Sequence, residues 1–400
     1  MSYFLHILSW ILLIPVIFSA GYLFLFALGG KFSGTRKGKT SRDFPLKQRI
    51  ALLVPAYKED AVILDTVHNL LSQAYESEYW DLVVIADSLR WETLEALRAL
   101  PICLVEVSFE ESTKAKALNE AMKRLPETYD IAVILDADNI VEPLFLRDIQ
   151  RHWKTSTQAL QCHRTAKNTQ TSTAVLDAIS EEVANHIFCL GHRSLGLSSR
   201  LVGSGMAFDY GLFKRIMGGI NAVGGFDKEL ELKLLREEVE IEYLPHIKVY
   251  DEKVSKPQTM QKQRLRWIAA QFHYLKVYIS PAIRDFFIKG NKDFLDKSLQ
   301  MMLMPRLMLI GLSSLGALIS WVIGSPLQVL AWNLSFAMVF FAYLLGTPPR
   351  FFSWQSIKAL MSLPKAIFLM LLGMGDLKTA NKKFIHTPHG ELPVNQRVEP

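Results

Sequence analysis

The chain has 400 residues, half of them hydrophobic, and a formal net charge of +6, which leaves room for one soluble catalytic domain and a membrane region. Its basic residues are spread along the chain and peak beside an apolar segment, which favours a membrane surface over nucleic acid as partner. Cys103, Cys162 and Cys189 are the whole cysteine complement and have no metal-like spacing, which excludes a disulfide framework and a zinc site.

Residues 4–28 are almost wholly apolar, interrupted only by His6, Ser9, Trp10 and Ser19. The run is long enough to cross a bilayer core. A signal peptide fits it less well, because the run is too long and lacks a basic leader and a small-residue cleavage site. Residues 1–30 are therefore read as a transmembrane anchor and 31–47 as a basic linker. Lys31, Arg36, Lys37, Lys39 and Arg42 in or beside that linker place the next domain on the cytoplasmic side.

Over 48–255 short apolar runs alternate with helix-like stretches, the pattern of βαβ units around a mostly parallel sheet with helices on both faces. Strands are expected at 50–54, 82–86, 103–107 and 132–135, and helices at 61–73 and 114–125. An α/β sheet of this kind binds its ligand at the carboxyl ends of the strands. Residues 256–298 are basic and amphipathic, as in helices lying on a membrane interface. Two apolar runs within 299–346, joined by Gly324-Ser325-Pro326, form a transmembrane hairpin. Residues 354–375 contain Lys358, Pro364 and Lys365, which favours an interfacial or re-entrant helix over a full span, and 376–400 form a tail.

The chemistry-bearing residues fall at the expected strand ends. Ile134-Leu135-Asp136-Ala137-Asp138-Asn139 places two carboxylates just after an apolar strand, a pair of hard oxygen donors suited to a divalent cation that grips a diphosphate. The first strand runs into Pro55-Ala56-Tyr57-Lys58-Glu59 and the second ends at Asp87, an acceptor for a base or ribose. Lys114 and Asn119 lie on the helix between these landmarks, where a lysine offsets phosphate charge. Gly203, Ser204, Gly205 and Met206 form a small-residue loop that a ligand can approach closely. Gly224-Gly225-Phe226-Asp227-Lys228-Glu229-Leu230-Glu231 opens a helix with carboxylates able to act as general base. Gln263-Arg264-Leu265-Arg266-Trp267 sets a phosphate-binding arginine beside an aromatic ring that fits a sugar face.

In this order the set resembles the processive-type family 2 glycosyltransferases, which include cellulose, chitin and hyaluronan synthases. The resemblance covers residues 50–267 and implies a GT-A fold, an Mg2+ or Mn2+ cofactor and a nucleotide-sugar donor, expected to be a UDP-sugar. It implies donor contacts from Pro55, Tyr57, Glu59, Asp87, Lys114, Asn119 and Asp136, with metal held by Asp138 and Asp136. It implies acceptor and diphosphate contacts from Gly203, Ser204, Gly205, Met206, Gln263, Arg266 and Trp267. Where the family has Glu-Asp this chain has Lys228-Glu229, so Glu229 is the expected catalytic base, with Asp227 and Glu231 as alternatives.

The expected activity is inverting transfer of a sugar to a growing polysaccharide or glycan at the plasma (inner) membrane, from a cytoplasmic catalytic domain. One anchor and one hairpin make a sparse channel, so a partner subunit or a homo-oligomer is a further expectation. Transfer of a single sugar to a polyprenyl phosphate or another lipid is the rival enzyme reading. A non-catalytic scaffold in a polysaccharide-synthesis complex is the rival outside enzymology, and the carboxylates and the Arg266-Trp267 pair argue against it.

Overall fold

A computed structural model describes residues 2–32, 47–222 and 224–376. The basic run Arg36, Lys37, Lys39 and Arg42 and the tail beyond 376 lie outside the described residues. In chain order the α/β region begins after helix α1 (Ser2–Phe32) with β1 (Ile50–Tyr57), α2 (Ile63–Leu71), β2 (Trp80–Asp87), α3 (Trp91–Arg98), β3 (Cys103–Val107), α4 (Lys114–Arg124) and β4 (Ile131–Ile134). It continues through β5 (Ile140–Val141), α5 (Phe145–His152), β6 (Ala159–Ala166), α6 (Ser172–Asn185), a π-helix (His186–Gly191) and α7 (His192–Ser194). Then come β7 (Met206–Asp209), α8 (Tyr210–Met217), α9 (Phe226–Arg236) and β8 (Ile241–Asp251).

These strands make one eight-stranded sheet in the order β3-β2-β1-β4-β7-β6-β8-β5. Its first half is parallel throughout, as expected. Beyond β4 the sheet becomes mixed, because β7 runs antiparallel to both β4 and β6 and β5 runs antiparallel to β8, while β6 and β8 pair in parallel. Chain order alone hides this: β7 inserts between strands that precede it in sequence. Strand β1 is buried on both faces, so its residues read as a continuous apolar run. Ala51 and Leu53 pack with α4, α8 and α9 on one face, whereas Ile50, Leu52 and Val54 pack with α2, α3 and α5 on the other.

The crevice opens where β1 and β4 diverge. Their register ends at Leu53 opposite Ile134, so Pro55 falls where β4 no longer needs a donor from β1. Lys58 and Ser88, immediately past β1 and β2, both take the left-handed conformation, with φ of 58° and 57°. Non-glycine residues enter that region at a cost and cluster where chain direction matters for a site.

The remaining helices are α10 (Pro257–Lys289), α11 (Lys292–Gln300), α12 (Arg306–Ile323), α13 (Pro326–Gly346), α14 (Trp354–Leu360) and α15 (Leu363–Gly373). Among the described residues, four helical stretches are long and apolar enough to cross a membrane: 6–32, 306–323, 326–346 and 354–373. The last is broken at Met361 and Ser362. Leu13, Val16, Leu23 and Phe26 of α1 pack with Leu309, Trp332 and Val339 of the hairpin and with Ile187 of the π-helix, so the apolar helices adhere to the α/β region.

Candidate active site

Two carboxylates follow β4 and a third closes β8. Oxygens of Asp136, Asp138 and Asp251 lie within 4.8 Å of one another. The turn that aims Asp136 is held from behind: its N–H is shared between Asn139 Oδ1 and Ser204 Oγ at 3.0 Å each. Ser204 is fully buried and donates to Asn139, which explains the hydroxyl in the small-residue loop. Asp138 is 2% exposed and accepts the Glu252 N–H at 2.9 Å. Asp251 receives Lys253 Nζ at 2.5 Å, and Lys253 also meets Glu181 at 2.5 Å. Burial works against the Lys253 charge, but Asp251 and Glu181 outweigh it and hold the ammonium above the ordinary lysine range. Arg164 adds a pair with Glu181 at 2.7 Å and lies 3.9 Å from Asp251.

Around these acids runs a cavity of about 500 Å³. Pro55, Tyr57, Glu59 and Asp87, the residues expected from sequence to contact a donor, line its β1–β2 end. Lys114 lines it too, paired with Asp136 and donating to the Gly203 carbonyl at 2.7 Å. Asn119 does not line it and donates instead to the Ile220 carbonyl at 3.1 Å. Of the small-residue loop only Gly203 reaches the cavity. Ser204 supports Asp136 from behind, Gly205 has φ of 63°, and Met206 is buried in β7. A side chain at Gly205 would come within 2.9 Å of Val249, so that glycine serves sheet packing.

Gln263, Arg266 and Trp267 project from α10 into the same cavity. Gly225 begins α9 from a left-handed conformation, φ 67°, and the helix then divides its acids. Asp227 and Glu231 line the cavity, and the Asp227 carboxylate lies beside Gly203. Glu229 does not line it, and its carboxylate pairs with Lys233 at 3.0 Å. Burial pushes the Lys228 ammonium down to about 8, with Arg200 and Lys297 adding to the shift although Asp227 and Glu231 oppose it. Glu231 is raised by burial, against its pairing with Lys297 at 2.5 Å. Burial likewise lowers Arg266, with Asp227 opposing.

Sequence reasoning missed Asp251, Lys253, Arg164 and Arg200. Asp251 had a local signal, an acidic pair Asp251-Glu252 directly after an alternating run, the same strand-end position that identified Asp87. Arg164 had none, because only the β6–β8 register brings it beside Val249 and near Asp251.

A family model described as Glycosyltransferase like family 2 matches residues 47–270. No curated protein matches the chain in sequence. Among solved structures, the mannosyltransferase PcManGT from Pyrobaculum calidifontis, in complex with GDP-Man and Mn2+, matches with a TM-score of 0.59 at 16% identity, over 92% of this chain and 98% of that one. That likeness is one of fold. Residues 1–349 of S. aureus TarS, in complex with UDP-GlcNAc, match with a TM-score of 0.39 at 15% identity, over 76% of this chain and 93% of that one. Glucosyl-3-phosphoglycerate synthase from Mycobacterium tuberculosis, in complex with Mn2+, UDP and glucosyl-3-phosphoglycerate, matches with a TM-score of 0.39 at 16% identity, over 56% of this chain and 78% of that one.

Proposed function

The chain belongs to glycosyltransferase family 2, and from that premise we propose that it is a membrane-anchored, inverting, metal-dependent transferase that moves a sugar from a nucleoside-diphosphate donor to a glycan or lipid-linked acceptor. The observation that carries this reading is the convergence of Asp136, Asp138 and Asp251 at the strand ends. Three carboxylates offer the hard oxygen donors that Mg2+ or Mn2+ prefers, and the adjoining cavity has the volume of a small-molecule site. A divalent ion bound there supplies positive charge against which a departing diphosphate is stabilised.

The chain's own residues do the rest. Pro55, Tyr57, Glu59 and Asp87 seat the base and ribose, and Lys114 orients Asp136 and meets phosphate charge. Asp227 takes the proton from the acceptor hydroxyl. The acceptor oxygen then forms its bond to the anomeric carbon as the bond from that carbon to the diphosphate oxygen breaks, and the nucleoside diphosphate leaves with the bonding electrons. Arg266 and Trp267 close over the diphosphate and the sugar. Asp227 is preferred to Glu229 as base because it lines the cavity and Glu229 does not.

Helix α1 and the hairpin α12–α13 anchor the domain in the plasma (inner) membrane with the cavity facing the cytoplasm, in keeping with their length and apolarity. Full-length protein reconstituted in lipid is expected to release nucleoside diphosphate from at least one member of a panel of UDP- and GDP-sugars with Mn2+, and to stop on chelation. Release that persists with chelator would remove the metal from the reading, and silence across the panel would favour a scaffold.

A further inference from the structure

One buried amide touches all three carboxylate residues of the candidate metal site. Asn139 is fully buried beside them, and its backbone N–H closes the turn after β4 by donating to the Asp136 carbonyl at 3.1 Å. Any residue but proline would make that bond, so the turn does not account for the side chain. Asn139 Oδ1 accepts the Asp136 N–H at 3.0 Å and the Ser204 hydroxyl. Asn139 Nδ2 faces the other way, donating to Asp138 Oδ1 at 3.3 Å and to Asp251 Oδ1 at 3.4 Å. A backbone N–H can only donate and an ionised carboxylate can only accept, so the partners themselves fix which end of the amide is which. Gln161 holds Ser204 in turn, donating to its carbonyl at 2.8 Å.

Carboxylates gathered without a cation repel one another. Lys114 pairs with Asp136, and Lys253 pairs with Asp251 at 2.5 Å, while Asn139 stands where Asp138 and Asp251 converge. A further ammonium in its place would oppose a divalent cation, and an apolar side chain would restrain neither oxygen. An amide holds both without adding charge. At 3.3 and 3.4 Å each bond is weak, and the effect is geometric, because one planar group restrains two carboxylates that would otherwise turn independently. We propose that Asn139 is a positioning residue, itself locked by Ser204, that sets Asp136, Asp138 and Asp251 in the arrangement that receives a divalent cation. The assignment rests on the metal-dependent transferase reading of this site and adds to it the group that prepares the site for metal.

The test reads Mn2+ binding by electron paramagnetic resonance on full-length protein in phosphatidylcholine nanodiscs, with Mn2+ alone and with UDP or GDP added. Asn139→Ala should weaken Mn2+ binding by about tenfold to a hundredfold, the range for losing a group that orients a metal's ligands. Ser204→Ala should shift it in the same direction by a smaller factor. Raising Mn2+ to saturation should restore nucleoside diphosphate binding in Asn139→Ala, because the three carboxylates are intact. The control is Asn291, a buried asparagine that caps α11 and donates to the Leu235 carbonyl at 2.8 Å. Asn291→Ala should lower Tm and leave Mn2+ affinity unchanged. Unaltered Mn2+ affinity in folded Asn139→Ala would overturn the proposal, as would an equal drop in Asn291→Ala, which would reduce the effect to lost stability. If Asn139→Ala does not fold, Ser204→Ala decides, and unchanged affinity there overturns the proposal. Wild-type protein that binds no Mn2+ with or without nucleotide would instead sink the metal reading of the site, and this proposal with it.

Discussion

Asp227 and Glu229 stand two residues apart at the start of α9, and helix geometry sends their side chains to different faces. Asp227 shares its face with Glu231 and looks into the cavity, whereas Glu229 pairs with Lys233 outside it. Asp227→Asn is therefore expected to lower transfer by about a hundredfold or more, the scale of a lost general base, with donor binding retained. Glu229→Gln should stay within a few-fold of wild type. Single-turnover rates on both variants check this, and the reverse pattern would return the role to Glu229. The family motif is legible in sequence to within these few residues, but choosing among three acids requires the start of α9, which the left-handed Gly225 sets. Asp136 and Asp138 are legible because their spacing is local. Asp251 reaches them through the antiparallel pairing of β5 with β8, which sets Tyr250 opposite Ile140, and its strand-end position alone does not report that pairing.

At the level of elements, the parallel half of the sheet is legible because strands buried on both faces must be apolar throughout. Strand β6 is harder to read because Gln161, His163, Arg164 and Thr165 interrupt it with polar groups that the fold uses. Arg164 meets Glu181, and Gln161 donates to the Ser204 carbonyl at 2.8 Å. The region expected as interfacial helices resolves into α10 and α11, with Leu265 and Ile268 of α10 buried. Helix α1 meets the π-helix closely: a Cβ at Gly191 would lie 2.1 Å from the Phe26 carbonyl oxygen. Backbone cannot yield as a flexible side chain can, so Gly191→Ala should cost about 1–3 kcal/mol, the usual penalty of overpacking. Gly21→Ala, which meets nothing within 4 Å on α1, is the control and should hold or raise Tm. Equal Tm values for wild type and Gly191→Ala in detergent would show that this helix contact does not contribute to stability.

Across the whole molecule, a hydrogen-bonded chain joins the N-terminal helix to the cavity. Tyr22 Oη donates to Asp296 at 2.6 Å, Gln300 donates to Asp296 at 2.9 Å, and Lys297 donates to Gln300 at 2.7 Å while pairing with Glu231. The apolar helices thus connect to the catalytic helix through matched polar groups as well as through packing, and buried networks of this kind fix one geometry when every member is satisfied. Whether the three carboxylates hold a metal that binds the donor is decided by equilibrium binding of UDP and of GDP to the purified full-length protein, with Mn2+ and with chelator, for wild type and Asp138→Asn. One nucleotide should bind wild type only when Mn2+ is present, and Asp138→Asn should lose this metal-dependent binding while remaining folded. Tight nucleotide binding in chelator, or undiminished Mn2+-dependent binding in Asp138→Asn, would contradict it.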